Sequence, residues 1–443
     1  MLPLPAPARS AAPLSAEQVA VAVSDRVDGA IAGAAYAGFS YEKEVVGLGT
    51  FDPANADLVG LFRLIGASHL RIGGYTVDTN VWDPNGPGGR LGYTAPADQA
   101  KLAGFLAATG WSATYGLNYR LSDPATAADE AASAAAILGP SLVAFEIGNE
   151  PNLYTTEPAF EAGWTAFRQA ILARVPAAVF AAPDTGSTTS FFSTFADDES
   201  GAFATLTAHH YIASANSPSA TVDTLLHSTE RTFLGQVQQV MAQSHSPAAR
   251  VSETNNFSSG GKDGVSNTFA SALWAARYLL DGAKYGVTGL DFHGGTSTEF
   301  GHELYYSPIR FAGTTGKSVI GVQPEYYGLL LVALTGTGSS YATAVSPPQA
   351  PVSAYAIGKN VVLVNVGSSD AVVTVTMPAS IRAARSLALR TRGGAGATHG
   401  QTLGGATVGL DGSFSPRYRS LPVRGASFAA ALPAISAALI ETA

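Results

Sequence analysis

Residues 142–152 read LVAFEIGNEPN. An apolar, strand-like run ends in a carboxylate followed by proline, and a helical stretch, FEAGWTAFRQAILARV (160–175), comes next. Proline ends the strand because it has no N–H to offer a ladder. The same unit recurs from about Ala32 to Gly338. Strands are predicted at 34–42, 68–74, 112–120, 142–150, 177–185, 205–212, 249–255 and 287–295. Helices are predicted at 56–66, 98–110, 160–175, 230–243, 269–285 and 324–336, several of them stopping at Gly. Eight strand–helix units in about 300 residues fit a closed (β/α)₈ TIM barrel. An open doubly wound sheet usually carries a Gly-rich phosphate turn after its first strand, and SYEKEV (40–45) stands there instead.

After Gly338 the texture changes. VSAYAIGKNVVLVNVGS, AVVTVTMPAS, RSLALRTRGG and SFAAALPAISAALIET are short β-branched runs separated by Gly, Ser and Asp turns. They predict an antiparallel β-sandwich. QVAVAVSDRVDGAI (18–31) has the same texture and is expected to add an N-terminal strand to it. The expected organisation is a flexible tail over 1–14, a sandwich strand over 15–31, the barrel over 32–338 and the sandwich over 339–443.

The 443 residues carry 25 Lys and Arg against 33 Asp and Glu, a net charge of −8, and only 13% of residues are charged. An ordinary soluble domain has roughly 25%. The acidic balance, without a Lys/Arg cluster, points away from nucleic acid. The chain has no cysteine, so disulfides, thiolate metal sites and a thiol nucleophile are excluded. No run reaches the ~18 consecutive apolar residues of a membrane span. The opening MLPLPAPARSAAPLS lacks a basic region followed by an apolar run, so no signal peptide is visible.

In such barrels chemistry sits at the C-terminal ends of the strands. The fourth ends in Asn149-Glu150-Pro151 and the seventh in RVSETNN, with Glu253. Either glutamate alone reads as a solvated strand-end carboxylate. Together, on opposite sides of the mouth, they suit a glycosidase, which needs an acid for the leaving oxygen and a carboxylate on the other face of the sugar. Residues alone do not say which is which. Glu146 lies deeper on the same strand face, where an unpaired carboxylate is costly, and Arg71 is its expected partner. Adjacent His209 and His210 face opposite ways, so one lines the cleft and the other is core. No metal site is expected from them, and no HExxH or acidic calcium loop occurs.

FEIGNEPN, SETNNFSSGG, LRIGGYTVDTNVWDP and LTAHHY together resemble the heparanase/β-glucuronidase family of glycoside hydrolases, family 79 of a clan of retaining (β/α)₈ enzymes. The resemblance spans about residues 34–336 and, more loosely, the sandwich. It implies Glu150 as acid/base and Glu253 as nucleophile, with no cofactor. It implies sugar contacts from Asn149, Glu42 and Tyr75, and the expected substrate-binding set also takes in Arg71 and, on the HHY strand, His210 and Tyr211. There the animal pattern has a second aromatic and this chain has Ile212. Tyr211 is then the phenol near the nucleophile, or that phenol is missing. The resemblance also implies a glucuronate-carboxylate grip from Ser259 and Gly260 with Tyr305 or Tyr306, and Lys262 lies close in sequence. The expected partner is a glucuronic-acid-containing oligo- or polysaccharide, heparan sulfate included. A monomer, secreted or periplasmic, is expected. Exo action on small glucuronides and non-catalytic carbohydrate binding on a degenerate barrel are the alternatives.

Overall fold

The computed structural model describes residues 16–297 and 302–443, so the tail expected over 1–14 lies outside the described residues. Eight parallel strands close into a barrel. They are β2 (Ala37–Glu42), β3 (His69–Gly73), β4 (Ser112–Leu117), β5 (Leu142–Ile147), β6 (Phe180–Thr185), β7 (Thr205–Ser214), β8 (Ala249–Ser258) and β9 (Leu290–Gly294). Each is followed by a helix of the outer ring: α1 (Ala56–Ile65), α2 (Pro96–Thr109), α3 (Pro124–Leu138), α4 (Glu157–Arg174), α5 (Ser190–Asp198), α6 (Arg231–Gln243), α7 (Phe269–Lys284) and α8 (Pro324–Thr335). Alternation sends Phe39 and Tyr41 of β2 outward to the helices. There Phe39 stacks on Trp111 at 5.2 Å between ring centroids, and Phe62 packs on the same indole. Helix ends follow local rules. Asp123 caps α3 by accepting from the Ala125 and Thr126 amides, and α2 stops at Gly110 with a left-handed backbone.

The inner face is polar rather than branched and apolar. Near the closed end Asp291 takes Arg250 Nε at 2.7 Å and His69 Nδ1 at 2.9 Å. Gly38 is required beside them, because a Cβ there would lie 1.9 Å from Asp291 Oδ1.

Two bulges break the alternation. Val251 pairs with Ala208 but Glu253 pairs with His209, so β8 has one extra residue, Ser252. Likewise Pro183 and Thr185 of β6 stand opposite Thr207 and Ala208, with Asp184 extra at φ 59°. A bulge re-aims side chains, and here Glu253 and Asp184 join Ser252 in facing the axis.

Besides three two-stranded ribbons in the loops, eleven further strands form one continuous sheet, mostly antiparallel and curled on itself. It contains β1 (Glu17–Ile31), β10 (Gly338–Ser346), β11 (Val352–Ile357), β12 (Asn360–Asn365), β13 (Ala371–Thr376), β14 (Ala384–Arg390), β15 (Thr402–Leu403), β16 (Arg419–Leu421), β17 (Val423–Arg424), β18 (Ser427–Leu432) and β19 (Ser436–Thr442). The N-terminal strand lies inside it, antiparallel to β10 and parallel to β13. Val361, Leu363, Val373, Val375 and Ile440 fill one interior face.

Candidate active site

Arg71 of β3 is fully buried on the barrel axis. Its five N–H bonds meet five acceptors. Nε donates to Glu146 Oε2 at 2.7 Å, Nη1 to Glu253 Oε2 at 2.7 Å and to Ser40 Oγ at 3.1 Å, and Nη2 to Asn149 Oδ1 at 2.9 Å and to Asp184 Oδ2. This corrects the expectation that Arg71 touches substrate: its donors are occupied and it exposes no surface, so it positions the carboxylates. The glycines of LRIGG make room for the arrangement. A Cβ on Gly73 would lie 2.3 Å from Arg71 Cζ, and one on Gly74, at φ 70°, would lie 2.5 Å from the Glu42 carboxyl.

Glu253 comes from within β8, not its end. Its Oε2 takes Arg71, and its Oε1 accepts the Tyr211 phenol at 2.8 Å. Burial opposes ionisation, but His293, His209 and Arg71 outweigh it and hold this carboxyl at about 2. Glu150 lies across the mouth on a left-handed residue, φ 49°, just past β5. A quarter of its side chain is exposed, and Oε1 contacts His209 Nδ1 at 3.0 Å. Ligand-type atoms of Glu150, His209 and Glu253 lie within 4.8 Å of one another. His209 has both nitrogens committed, Nδ1 to Glu150 and Nε2 to Asp184 Oδ1 at 2.7 Å. It is fully buried, which opposes its charge, yet Asp184 and Glu253 raise it well above the usual imidazole range. Both nitrogens therefore act as donors.

Beneath this pair, Glu146 is 1% exposed and too deep to reach a sugar. Burial and the neighbouring Asp184 charge push it up to about 8 against the pull of Arg71. Asp184 is held well below the carboxylate range, because Arg71 and His209 overcome its burial. Glu146 Oε1 has no donor partner among the described residues. Protonated, it becomes a donor itself, with Asp184 as acceptor.

Asn149 is 7% exposed; its Oδ1 faces Arg71 and its backbone amide donates to Asp78 Oδ2 at 3.2 Å. Glu42 Oε2 accepts from the Thr76 amide at 2.8 Å and the Thr76 hydroxyl at 2.6 Å, and Oε1 lies 3.5 Å from His293. Tyr75 is 58% exposed at the rim. His210 is corrected: it faces out of the barrel, stacks on Phe233 and bonds Glu230 at 2.6 Å. Its neighbour His209 faces in, as does Tyr211 two residues on. Ser259 is exposed and Gly260 buried, both at positive φ, and the Gly260 carbonyl accepts the Tyr305 amide at 2.7 Å. Tyr305 is half-buried, whereas the Tyr306 ring packs 6.0 Å from Tyr211 and 6.1 Å from His293. Lys262 gives its ammonium to the Ala220 carbonyl at 2.8 Å.

Sequence reading missed Asp184, His209 and His293. Period-two alternation does flag one of His209 and His210, but the phase comes from register. Asp184 would face outward without its bulge.

No family model matches the chain. It is 33% identical over 132 residues to a β-glucuronidase of Neurospora crassa, covering 28% of this chain and 22% of that protein. It is 26% identical over 268 residues to a β-glucuronidase of Aspergillus niger, covering 52% of this chain and 48% of that one. The match thus spans less than half the length of either curated relative. A solved 4-O-α-L-rhamnosyl-β-D-glucuronidase of Fusarium oxysporum superposes with a TM-score of 0.78 at 20% identity, over 95% of this chain and all of that one. A family 51 α-L-arabinofuranosidase of Bifidobacterium longum gives 0.72 at 15% identity, over 97% and 100%. The two solved structures share the fold. The two curated relatives bear out the resemblance to the β-glucuronidase glycoside hydrolases.

Proposed function

We propose that this chain is a retaining glycoside hydrolase that cleaves β-linked glucuronic acid. The observation that carries the reading is the pair of carboxylates. Oxygens of Glu150 and Glu253 approach within 4.8 Å across the mouth. Retaining enzymes hold such groups ~5–5.5 Å apart, and inverting ones ~6.5–9.5 Å to admit water. Their environments also divide the roles. Glu253 is ionised and faces three cationic side chains, which suits a nucleophile attacking the anomeric carbon. Glu150 is the more exposed, and its Oε1 accepts from the His209 imidazolium. A proton on Glu150 is therefore carried by Oε2, free to be given to the leaving oxygen; the ionised Glu150 then takes a proton from the incoming water. Asn149 offers an amide beside the acid for a ring hydroxyl. Glu42 and Tyr75 line the rim where further hydroxyls bind.

We assign the carboxylate of the sugar to the Ser259–Gly260 turn and Tyr306, whose ring lies beside Tyr211. Charge-assisted hydrogen bonds are roughly twice as strong as neutral ones, so backbone amides and a phenol suffice without a lysine. The test uses aryl β-glucuronides and aryl β-glucosides. Faster glucuronide turnover with a β-anomer as first product by proton NMR is expected. An α-anomer removes Glu253 from the nucleophile role, and equal rates on both sugars remove the glucuronidase reading.

A further inference from the structure

The charge of this chain is divided unevenly. Residues 339–443 hold eight Lys and Arg against three Asp and Glu, a net of +5, while residues 1–338 hold 17 against 30, a net of −13. The cationic excess is arginine: Arg382, Arg385, Arg390, Arg392, Arg417, Arg419 and Arg424 are all exposed. Among the described residues only Arg385 of these pairs with a carboxylate, Glu441. Six unpaired guanidiniums on a net-acidic protein are a local cationic surface.

Its place in the fold gives it a use. A groove of about 850 Å³ lies between β14 and the excursion that follows it, lined by Arg390, Arg392, His399 and Gly405. Gly405 also lines the adjoining groove of about 620 Å³ that holds Arg417. The excursion is fastened to the barrel: carbonyls of Ala397 and Ala395 accept the Phe269 and Ala270 amides at 2.8 and 2.9 Å, at the start of α7. The Val408 amide donates to the Tyr327 phenol at 2.9 Å, in the first turn of α8. Ring helices begin on the face where the barrel strands end, which is the mouth. The excursion is therefore held on the mouth side of the barrel, against the start of α7, the helix that follows the Ser259–Gly260 turn.

We propose that this groove docks a polyanionic saccharide chain whose terminal or internal uronate enters the barrel mouth. The proposal rests on the glucuronidase reading for the sugar in the mouth and extends it to polymers. Guanidinium forks match carboxylate and sulfate groups in two-point contacts. A duplex nucleic acid is the poorer fit. Its broad, stiff duplex would lie across the acidic remainder of the chain, residues 1–338 with a net charge of −13, where a single slender glycan strand follows the groove. The stretch 382–424 also offers few rings for stacking, and Tyr418 is already covered by Arg385 at 4.2 Å.

The test uses the full chain, with immobilised heparin and polyglucuronate as probes at low salt. The triple variant Arg390→Ser, Arg392→Ser, Arg417→Ser is compared with a charge-matched control on exposed barrel cations, Arg63→Ser, Arg174→Ser, Lys317→Ser. The groove variant is expected to bind at least one glycan roughly 10–100-fold more weakly, the control to bind as the unmodified protein does, and all three to hydrolyse an aryl β-glucuronide equally. Equal losses in both triples, no retention of the unmodified protein on either glycan, or equally tight binding to duplex DNA overturn the docking site. Groove-specific retention without aryl glucuronide hydrolysis supports the docking site and rejects only the reading of the mouth.

Discussion

The barrel axis and the interior of the β-domain both exclude water, and they are filled in opposite ways. The sheet encloses Val361, Leu363, Val373 and Ile440, whose contribution is area taken from water. The axis encloses Arg71 with five acceptors, three of them carboxylates, and two histidines at its margin. An apolar interior is a sum of many interchangeable contacts. A buried charge cluster is a set of mutual obligations, since removing one member leaves the others desolvated and unpaired. The chain keeps its tolerance in one domain and its chemistry in the other.

The sharpest break in this contrast is at Glu253. Glu253→Gln keeps the shape and most hydrogen bonds of the axis but removes the proposed nucleophile. Turnover of an aryl glucuronide is expected to fall by roughly 10⁴–10⁶-fold, with melting changed far less; retention of more than a tenth of the rate contradicts the assignment. Next is Arg71→Met, which strips the shared cation from Glu146, Asp184 and Glu253. A loss of about 3–5 kcal/mol in chemical denaturation is expected, together with loss of turnover. A smaller stability loss than for a sheet-core truncation undermines the picture of the axis as a coupled unit.

That truncation is Leu363→Ala. It should cost about 2–5 kcal/mol, yet leave kcat unchanged below the melting transition. A change in kcat at constant fold would mean that the β-domain tunes the mouth. The mildest change is Glu146→Gln, because an amide reproduces a neutral acid that accepts from Arg71 and donates to Asp184. Less than a tenfold change in turnover is expected, with a distinct pH signature.

Glu253 sits below its ordinary value, at about 2, so the stability it supplies is complete above about pH 5 and lost as pH falls toward 2. Glu146 sits above its ordinary value, at about 8, so its contribution is complete below about pH 4.5 and lost as pH rises through 8. Together they place the cluster's best pH near 5, with slopes of at most about 1.4 kcal/mol per pH unit for each group. In Glu146→Gln the decline between pH 5 and 8 should flatten in a melting series, while the acid limb persists. An unchanged alkaline limb shows that Glu146 is ionised in the folded protein.

Much of this was legible in the chain. Strand–helix alternation and carboxylates after the fourth strand and on the seventh point to a barrel with a paired acid site, because period, turn chemistry and proline stops are local properties. The pairing of Arg71 with Glu146 was also legible, since a deep carboxylate needs a cation. Register was not. Whether His209 or His210 faces the mouth depends on the neighbouring strand, where Glu253 stands beside His209. Asp184 and Glu253 turn inward only because each strand accommodates one extra residue.

By itself the sequence determined the strand–helix alternation of the barrel and the change to β texture after Gly338, because short-range propensity and periodicity carry that information; the ring helices at Pro124–Leu138 and Ser190–Asp198 were not among those predicted. The tertiary structure alone decided how the charges are shared: one guanidinium divided among three carboxylates, an imidazolium set between Glu150 and Asp184, and an arginine-lined excursion of the β-domain fastened to α7 and α8. Those arrangements join residues as far apart as Arg71 and Glu253, or Phe269 and Ala397. Their energies depend on burial and on distances of a few ångströms, which no local pattern in a chain encodes.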